Sequence, residues 1–436
     1  MNAGASGAGT ATTAGIAIAA AQRRLLLLSA LRWLPVGVTL GVTVLLPLER
    51  GLSIAEIGSI LAVQGFVALA LELPTGALAD TLGRRPVLAA SGVLAVVAAV
   101  LFLLADSFVL FAVSLLLQGV FRVLDSGALE AWFVDAVHEH DPHAEVARPL
   151  ARAATVLGMA IAGGALVGGL LVAWHPLAGL SALVLPLVVA IGLYAGYTVL
   201  ILVLVRESPQ GTATSMRPLS AMAHAARQAP RTIADGVRRA ASSRVLAGLV
   251  LVEVFWSVAM IAFETLTPLQ LEGLLGGEAA AAAVFGPASA AAWGLFAVGS
   301  LLASRLSSAI GVTRTAILSR ILNGAFVVLM GLSSGMVGLL IGYGLTYLAH
   351  GAAGPMHAAL LHREADRSTR ATVLSLNSMV SGGAYSIGLL VLTAFAGATS
   401  AATATIVAGA FSILGAACYL PALRQERSRK TALNVA

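Results

Sequence analysis

Residues 76–86 read Gly-Ala-Leu-Ala-Asp-Thr-Leu-Gly-Arg-Arg-Pro and stand between two long apolar runs. Their chemistry is that of a turn at a membrane surface. Gly76 allows close helix approach, Asp80 places a carboxylate at the membrane edge, and Gly83 lets the chain reverse tightly. Arg84 and Arg85 then anchor the turn on one side of a bilayer. The flanking runs, at about 54–79 and 87–105, are each close to the ~20 residues that a helix needs to cross a ~30 Å hydrocarbon layer.

Ten more such runs follow the same rule, at about 25–47, 108–135, 151–173, 180–205, 245–271, 281–305, 315–334, 336–360, 371–395 and 399–421. Gly335 barely separates the ninth run from the tenth. The chain of 436 residues is 58% hydrophobic and 11% charged, with a mean hydropathy of +0.93. Soluble domains carry about 25% charged residues, so a soluble enzyme is excluded. The ~10-residue alternating segments of a membrane barrel are absent. The fold expected is an all-α membrane protein of twelve transmembrane helices in two six-helix bundles.

The longest polar stretch, 206–244, splits the spans six and six. The expected parts are a mobile tail over 1–21, bundles over 22–205 and 245–421, a basic linker over 206–244 and a tail over 422–436. The basic residues sit in small groups between apolar runs rather than on one face, which argues against a nucleic-acid partner. Counted over alternate loops, 23 Lys and Arg fall on one side and only Arg50 on the other, with Arg32 and Arg122 inside spans. By the positive-inside rule both termini are cytoplasmic. In the linker, Leu219, Met222, Ile233 and Val237 could form the apolar side of a helix on anionic lipid, or the stretch could be a solvated connection. The single cysteine, Cys418, excludes an intrachain disulfide and a cysteine-based metal cluster.

The turn at 76–86 closely resembles the loop signature of the major facilitator superfamily, G-x-L-A-D-R-x-G-R-K. Gly76, Leu78, Ala79, Asp80, Gly83 and Arg84 match, Arg85 replaces Lys, and Thr81 replaces the first Arg. A fainter echo, Gly299, Leu301, Ala303, Arg305 and Gly311, stands where the second half should repeat it, as internal repeats predict. Three further strings resemble a subset of the superfamily: Glu72-Leu-Pro-Thr-Gly76, Ser126-Gly-Ala-Leu-Glu130-Ala131 and Arg370-Ala-Thr-Val-Leu-Ser375. The resemblance implies a gating loop of Gly76, Asp80, Gly83, Arg84 and Arg85. In it Asp80 would cap the start of span 11 at Ser368 or Thr369, and Asp135 would hold Arg84. Gly164, Gly168 and Gly169 match the glycines of an exporter signature, although Ala165 replaces its proline; ordinary helix packing is the alternative.

Charges inside spans are costly and mark candidate sites. Arg122 and Asp125, three apart on one helix face, can neutralise each other, and the superfamily links an arginine of span 4 to proton transfer. Arg32, Glu72 and Glu130 fall within ~5 Å of one another along the membrane normal, so one carboxylate beside Arg32 is left to bind a proton. Glu253 and Glu264 share one face of span 7, with Glu253 the deeper proton candidate. Glu253, Glu264 and His350 are substrate-cavity candidates. His138, His140 and His143 lie in a hydrated loop and are read as no metal site.

With no P-loop present, the expected energy source is an ion gradient. The chain reads as a monomeric, cofactor-free secondary transporter that moves a small solute by alternating access, in partnership with protons and lipid. Proton-coupled efflux of a drug-like or natural-product compound is favoured over uptake of a nutrient or metabolite. A non-transporting sensor and a polytopic membrane enzyme are the alternatives from other classes.

Overall fold

The computed structural model describes residues 4–177, 179–207, 218–365 and 370–435, which are helical with no strand among them. Twelve helices are long and apolar enough to cross a membrane. Spans 1–6 are Gly15–Glu49, Ile54–Glu72, Arg84–Leu104, Phe108–His138, Ala147–Trp174 and Val184–Leu204. Spans 7–12 are Arg244–Leu275, Glu278–Ile310, Val312–Leu332, Met336–Glu364, Thr372–Ala398 and Ala401–Ser428. The helix of span 2 continues to Leu82. A linker helix, Pro218–Ser242, joins the halves. Spans 9 and 10 are separated at Ser333 and Gly335, whose backbones are extended.

The helix that feeds span 1 runs from Gly4 to Val38, and alanines of high helix propensity outnumber the glycines in its first turns. One expectation is corrected. Arg320 lies inside span 9, 3% exposed, rather than in a loop. The charge asymmetry survives its removal from the count.

The buried core shows how the halves meet. One large cluster joins Leu45, Ile57, Phe111 and Val172 of the first half to Phe263, Phe285, Tyr347 and Leu392 of the second, all on the Arg50 side. Toward the arginine-rich side the core divides. Leu28, Trp132, Phe133 and Tyr197 form a cluster of the first bundle alone, and Leu249, Met356, Leu360 and Tyr419 one of the second. The bundles are therefore joined on the charge-poor side and parted on the arginine-rich side. Met159, Trp174 and Leu301, each 69% exposed, would be liabilities in water and are ordinary against lipid.

Close backbone approach makes the joined side possible. A Cβ on Gly164 would fall on the Leu34 carbonyl of span 1, and one on Gly168 on the Val38 carbonyl. One on Gly169 would meet Gly286 and Pro287 of span 8. The glycine string of span 5 thus packs against spans 1 and 8 at once, as small residues do in membrane helices. Gly163 faces open space. Gly164→Ala should lower the unfolding temperature in detergent by several degrees, consistent with the ~1–3 kcal/mol cost of overpacking, while Gly163→Ala leaves it unchanged. Thermal-shift assays of the two variants check this, and equal melting temperatures would contradict the packing.

Candidate functional site

The loop between spans 2 and 3 is built on Gly83, whose φ of +90° suits glycine. The reversal presents the first N–H groups of span 3 outward, and the Glu207 carboxylate, just beyond span 6, accepts from the Arg84 and Arg85 N–H groups. Arg84 lies 3.7 Å from Asp135 at the end of span 4. The second half repeats this device. Gly311 has φ +93°, and Glu426, near the end of span 12, accepts from the Thr313 hydroxyl at 2.6 Å at the start of span 9. The faint echo at Gly311 is thus a structural repeat. The Asp80 side chain and residues 366–369, which would hold the expected cap at Ser368 or Thr369, lie outside the described residues.

Inside the first bundle Arg32 pairs with Asp125, and the Tyr197 hydroxyl donates to the other carboxylate oxygen at 2.5 Å. The Arg32 guanidinium sits 4.5 Å from the Trp33 ring centre and 4.4 Å from that of Phe121, contacts that favour a cation. This corrects two readings. Asp125 neutralises Arg32 rather than Arg122, and neither Glu72 nor Glu130 forms an ion pair among the described residues. The helix of span 4 stops at Asp125 and restarts at Ala128. Gly127 has φ +71° in between. Asp125 is buried at the end of the first helix, while Arg122, Ser126 and Glu130 are exposed. Glu130 falls in the first turn of the new helix, where the helix dipole favours an anion. The Ser126-Gly127 pair is the sequence signal for this break.

Inside the second bundle Glu253 lies 3.0 Å from His357 Nε2 and 3.7 Å from Arg320. His357 Nδ1 meets the Tyr419 hydroxyl at 2.9 Å, its Nε2 meets Asn377 at 3.2 Å, and Arg320 stacks 4.4 Å from the Trp256 ring centre. Spans 1, 4 and 6 thus supply Arg32, Asp125 and Tyr197, while their counterparts 7, 10 and 12 supply Glu253, His357 and Tyr419. Arg320 and His357 were missed in sequence, Arg320 because it lies near enough to a span end to be counted with the loops.

Glu264 occupies a third environment. It lies in a single π-turn, Ala262–Leu266, within span 7. Such a wider turn rotates the helix register, so Glu264 and Glu253 do not share the face that counting at 100° predicts. The Tyr385 hydroxyl of span 11 donates to Glu264 at 3.3 Å, and Arg122 of the first bundle interacts electrostatically with both. A separate aromatic group stands in the same bundle. The His350 ring lies 4.3 Å from Trp256, 5.0 Å from Phe296 and 5.9 Å from Phe263, centre to centre, and its Nδ1 is buried without a partner. The charge of Arg122 thus acts across the halves on Glu264 and Tyr385, after the stronger influence of Arg32 in its own bundle.

Residues 25–296, well over half of the chain, match the sequence profile of the Major Facilitator Superfamily. The chain belongs to the major facilitator superfamily. No curated protein matches it in sequence. Solved structures of the superfamily fold resemble it at low identity. The nucleoside transporter NupG is 13% identical with a TM-score of 0.74, covering 92% of this chain and 98% of its own. A POT family transporter crystallised with a thioalcohol-conjugated peptide is 14% identical with a TM-score of 0.66, covering 92% and 95%. The human organic anion transporter MFSD10 (TETRAN) is 17% identical with a TM-score of 0.59, covering 91% and 99%. As a superfamily member the protein is a multi-pass secondary transporter of a small molecule, a transporter rather than an enzyme.

The two kinds of pair should respond differently to mutation. Asp125→Asn strands the Arg32 guanidinium in the core and should cost about 3–5 kcal/mol, read as a large fall in melting temperature in detergent. Asp135→Asn removes a partner that is 68% exposed and should cost under about 1 kcal/mol. Comparable losses in the two variants would show that Asp125 is not the buried partner of Arg32.

Proposed function

We propose that the protein exports a drug-like or natural-product compound in exchange for protons, with Glu264 as the carboxylate that couples the two. What supports this reading is the hydrogen bond of Glu264 to Tyr385, together with the charge of Arg122 acting on it from the other bundle. An ion pair inside one bundle moves as a unit when the bundles rock. An interaction between bundles changes strength with every cycle, so a proton on Glu264 is favoured when Arg122 withdraws and opposed when it approaches. Arg32–Asp125 and Glu253–Arg320–His357 are held within bundles and suit structural roles, so the proton assignment passes from Glu253 to Glu264.

Substrate class follows the chemistry of the neighbourhood. The rings of Trp256, Phe263, Phe296 and Tyr347 gather around His350 in the same bundle as Glu264, which suits a planar apolar molecule better than a sugar-like one. The charge asymmetry of the loops supports cytoplasmic termini in the plasma membrane. On that orientation the parted side opens to the cytoplasm, ready to load a compound for export.

A pump-deficient host should survive planar aromatic toxins better with the protein than without it. Glu264→Gln should abolish that protection and reduce uphill transport to the level seen without a gradient. Exchange in the absence of a gradient should persist. Full protection by Glu264→Gln would overturn the coupling role, and enhanced sensitivity of the host with the wild-type protein would indicate uptake. Orientation has its own check. A cysteine at Gln425, in a Cys418→Ala background, should resist an impermeant thiol reagent in intact cells, and labelling from outside would invert the topology.

A further inference from the structure

The linker helix Pro218–Ser242 is tied to the transporter at three places. Only Ser243 separates it from span 7, and that serine caps the span by accepting from the Leu246 N–H. Ala240 packs with Val250 of span 7 and Leu376 of span 11, and Gly236 is buried beside Leu376 and Thr372. Its other flank packs on the helix of span 2. It therefore touches both bundles on the arginine-rich side, where their cores have separated.

At 100° per residue the remaining surface divides in two. Arg227, Arg231 and Arg238 fall within about 40° of one another, nearly opposite buried Gly236 and Ala240, while Arg239 lies about 100° round from them; all four arginines are exposed. Next to that stripe runs an exposed apolar strip of Ala223, Pro230, Ala234, Val237 and Ala241. Val237 is 53% exposed. We propose that this helix is a clasp that lies on an anionic bilayer surface and links lipid charge to the gate between spans 2 and 11. The apolar strip enters the acyl boundary, and the guanidinium groups reach along their stems to lipid phosphates. A soluble acidic partner would satisfy the arginines and leave the apolar strip in water, so the pairing of the two strips favours lipid. Because the clasp bridges the bundles in the conformation parted on the arginine-rich side, anionic lipid stabilises that conformation.

The test uses the full chain with Cys418→Ala and a Val237→Cys substitution carrying the environment-sensitive dye NBD, reconstituted in vesicles. In phosphatidylcholine with 30% phosphatidylglycerol the emission should shift to the blue relative to phosphatidylcholine alone, and high salt should reverse the shift. Each arginine at an anionic surface changes the docked-to-undocked ratio about five-fold. Arg227→Gln and Arg231→Gln together should therefore lower it by about twenty-five-fold, whereas the two Arg→Lys changes retain docking. Spin labels at Leu82→Cys and Gln425→Cys should show the longer separation enriched by phosphatidylglycerol. Equal emission in both vesicle types overturns the lipid assignment. So does a shift that persists in the Arg→Gln variant, which would mean apolar insertion without recognition of charge. Docking without any change in the spin-label distances overturns the link to the gate.

Discussion

A guanidinium cannot sit bare inside a hydrocarbon layer, and the interior of this protein is arranged around that cost. Arg32 and Arg320 are each about 95% or more buried, and each is neutralised by a carboxylate from another span of its own bundle. Aromatic rings close over both cations. Removing either acid would strand a buried guanidinium without its ion-pair partner. The pairs thus lock spans 1 and 4, and spans 7 and 9, into units that move as wholes. Rigid units are what alternating access requires, because rocking of one bundle against the other needs each to keep its shape.

Against that background the placement of Arg122 and Glu264 stands out. Neither belongs to the internal pair of its bundle, and the charge of each acts on the other across the halves. Local backbone departures set them there. The break at Ser126-Gly127 releases span 4 immediately after Asp125 has been used inside, and the π-turn at Ala262–Leu266 turns Glu264 away from the face of Glu253. Irregular backbone at membrane depth persists where it lines a cavity or is buried in protein, and broken helices recur at transporter binding sites. At the opposite end Gly164 and Gly168 pack span 5 on span 1 within one bundle, and Gly169 brings span 5 against span 8 of the other by backbone approach.

Architecture was largely legible in sequence because it rests on patterns that composition carries. Twelve apolar runs, the six-and-six split and the loop at Gly83 all reappear in the structure. So does the second-half echo at Gly311, through its matching positive φ. Pairing was less legible. Arg122 and Asp125 satisfy the three-residue rule for a helix pair, yet Asp125 turns to Arg32, ninety-three residues away. A tertiary contact between spans leaves no trace in local spacing. Glu253 and Glu264 fail for a different reason, since one wider turn invalidates the angular count. His357 lacked any motif, and its role emerges only when spans 7, 10, 11 and 12 are brought together around Glu253.

The central claim is that the state-dependent carboxylate is Glu264, between bundles, and not Glu253, within one. The most direct measurement is the pH dependence of the distance between spin labels at Leu82→Cys and Gln425→Cys, which straddle the parted side. In otherwise wild-type protein, the populations of near and far distances should change with pH. Glu264→Gln should abolish that dependence, and Glu253→Gln should preserve it in the fraction that folds. A pH response unchanged by Glu264→Gln and lost in folded Glu253→Gln would contradict the account.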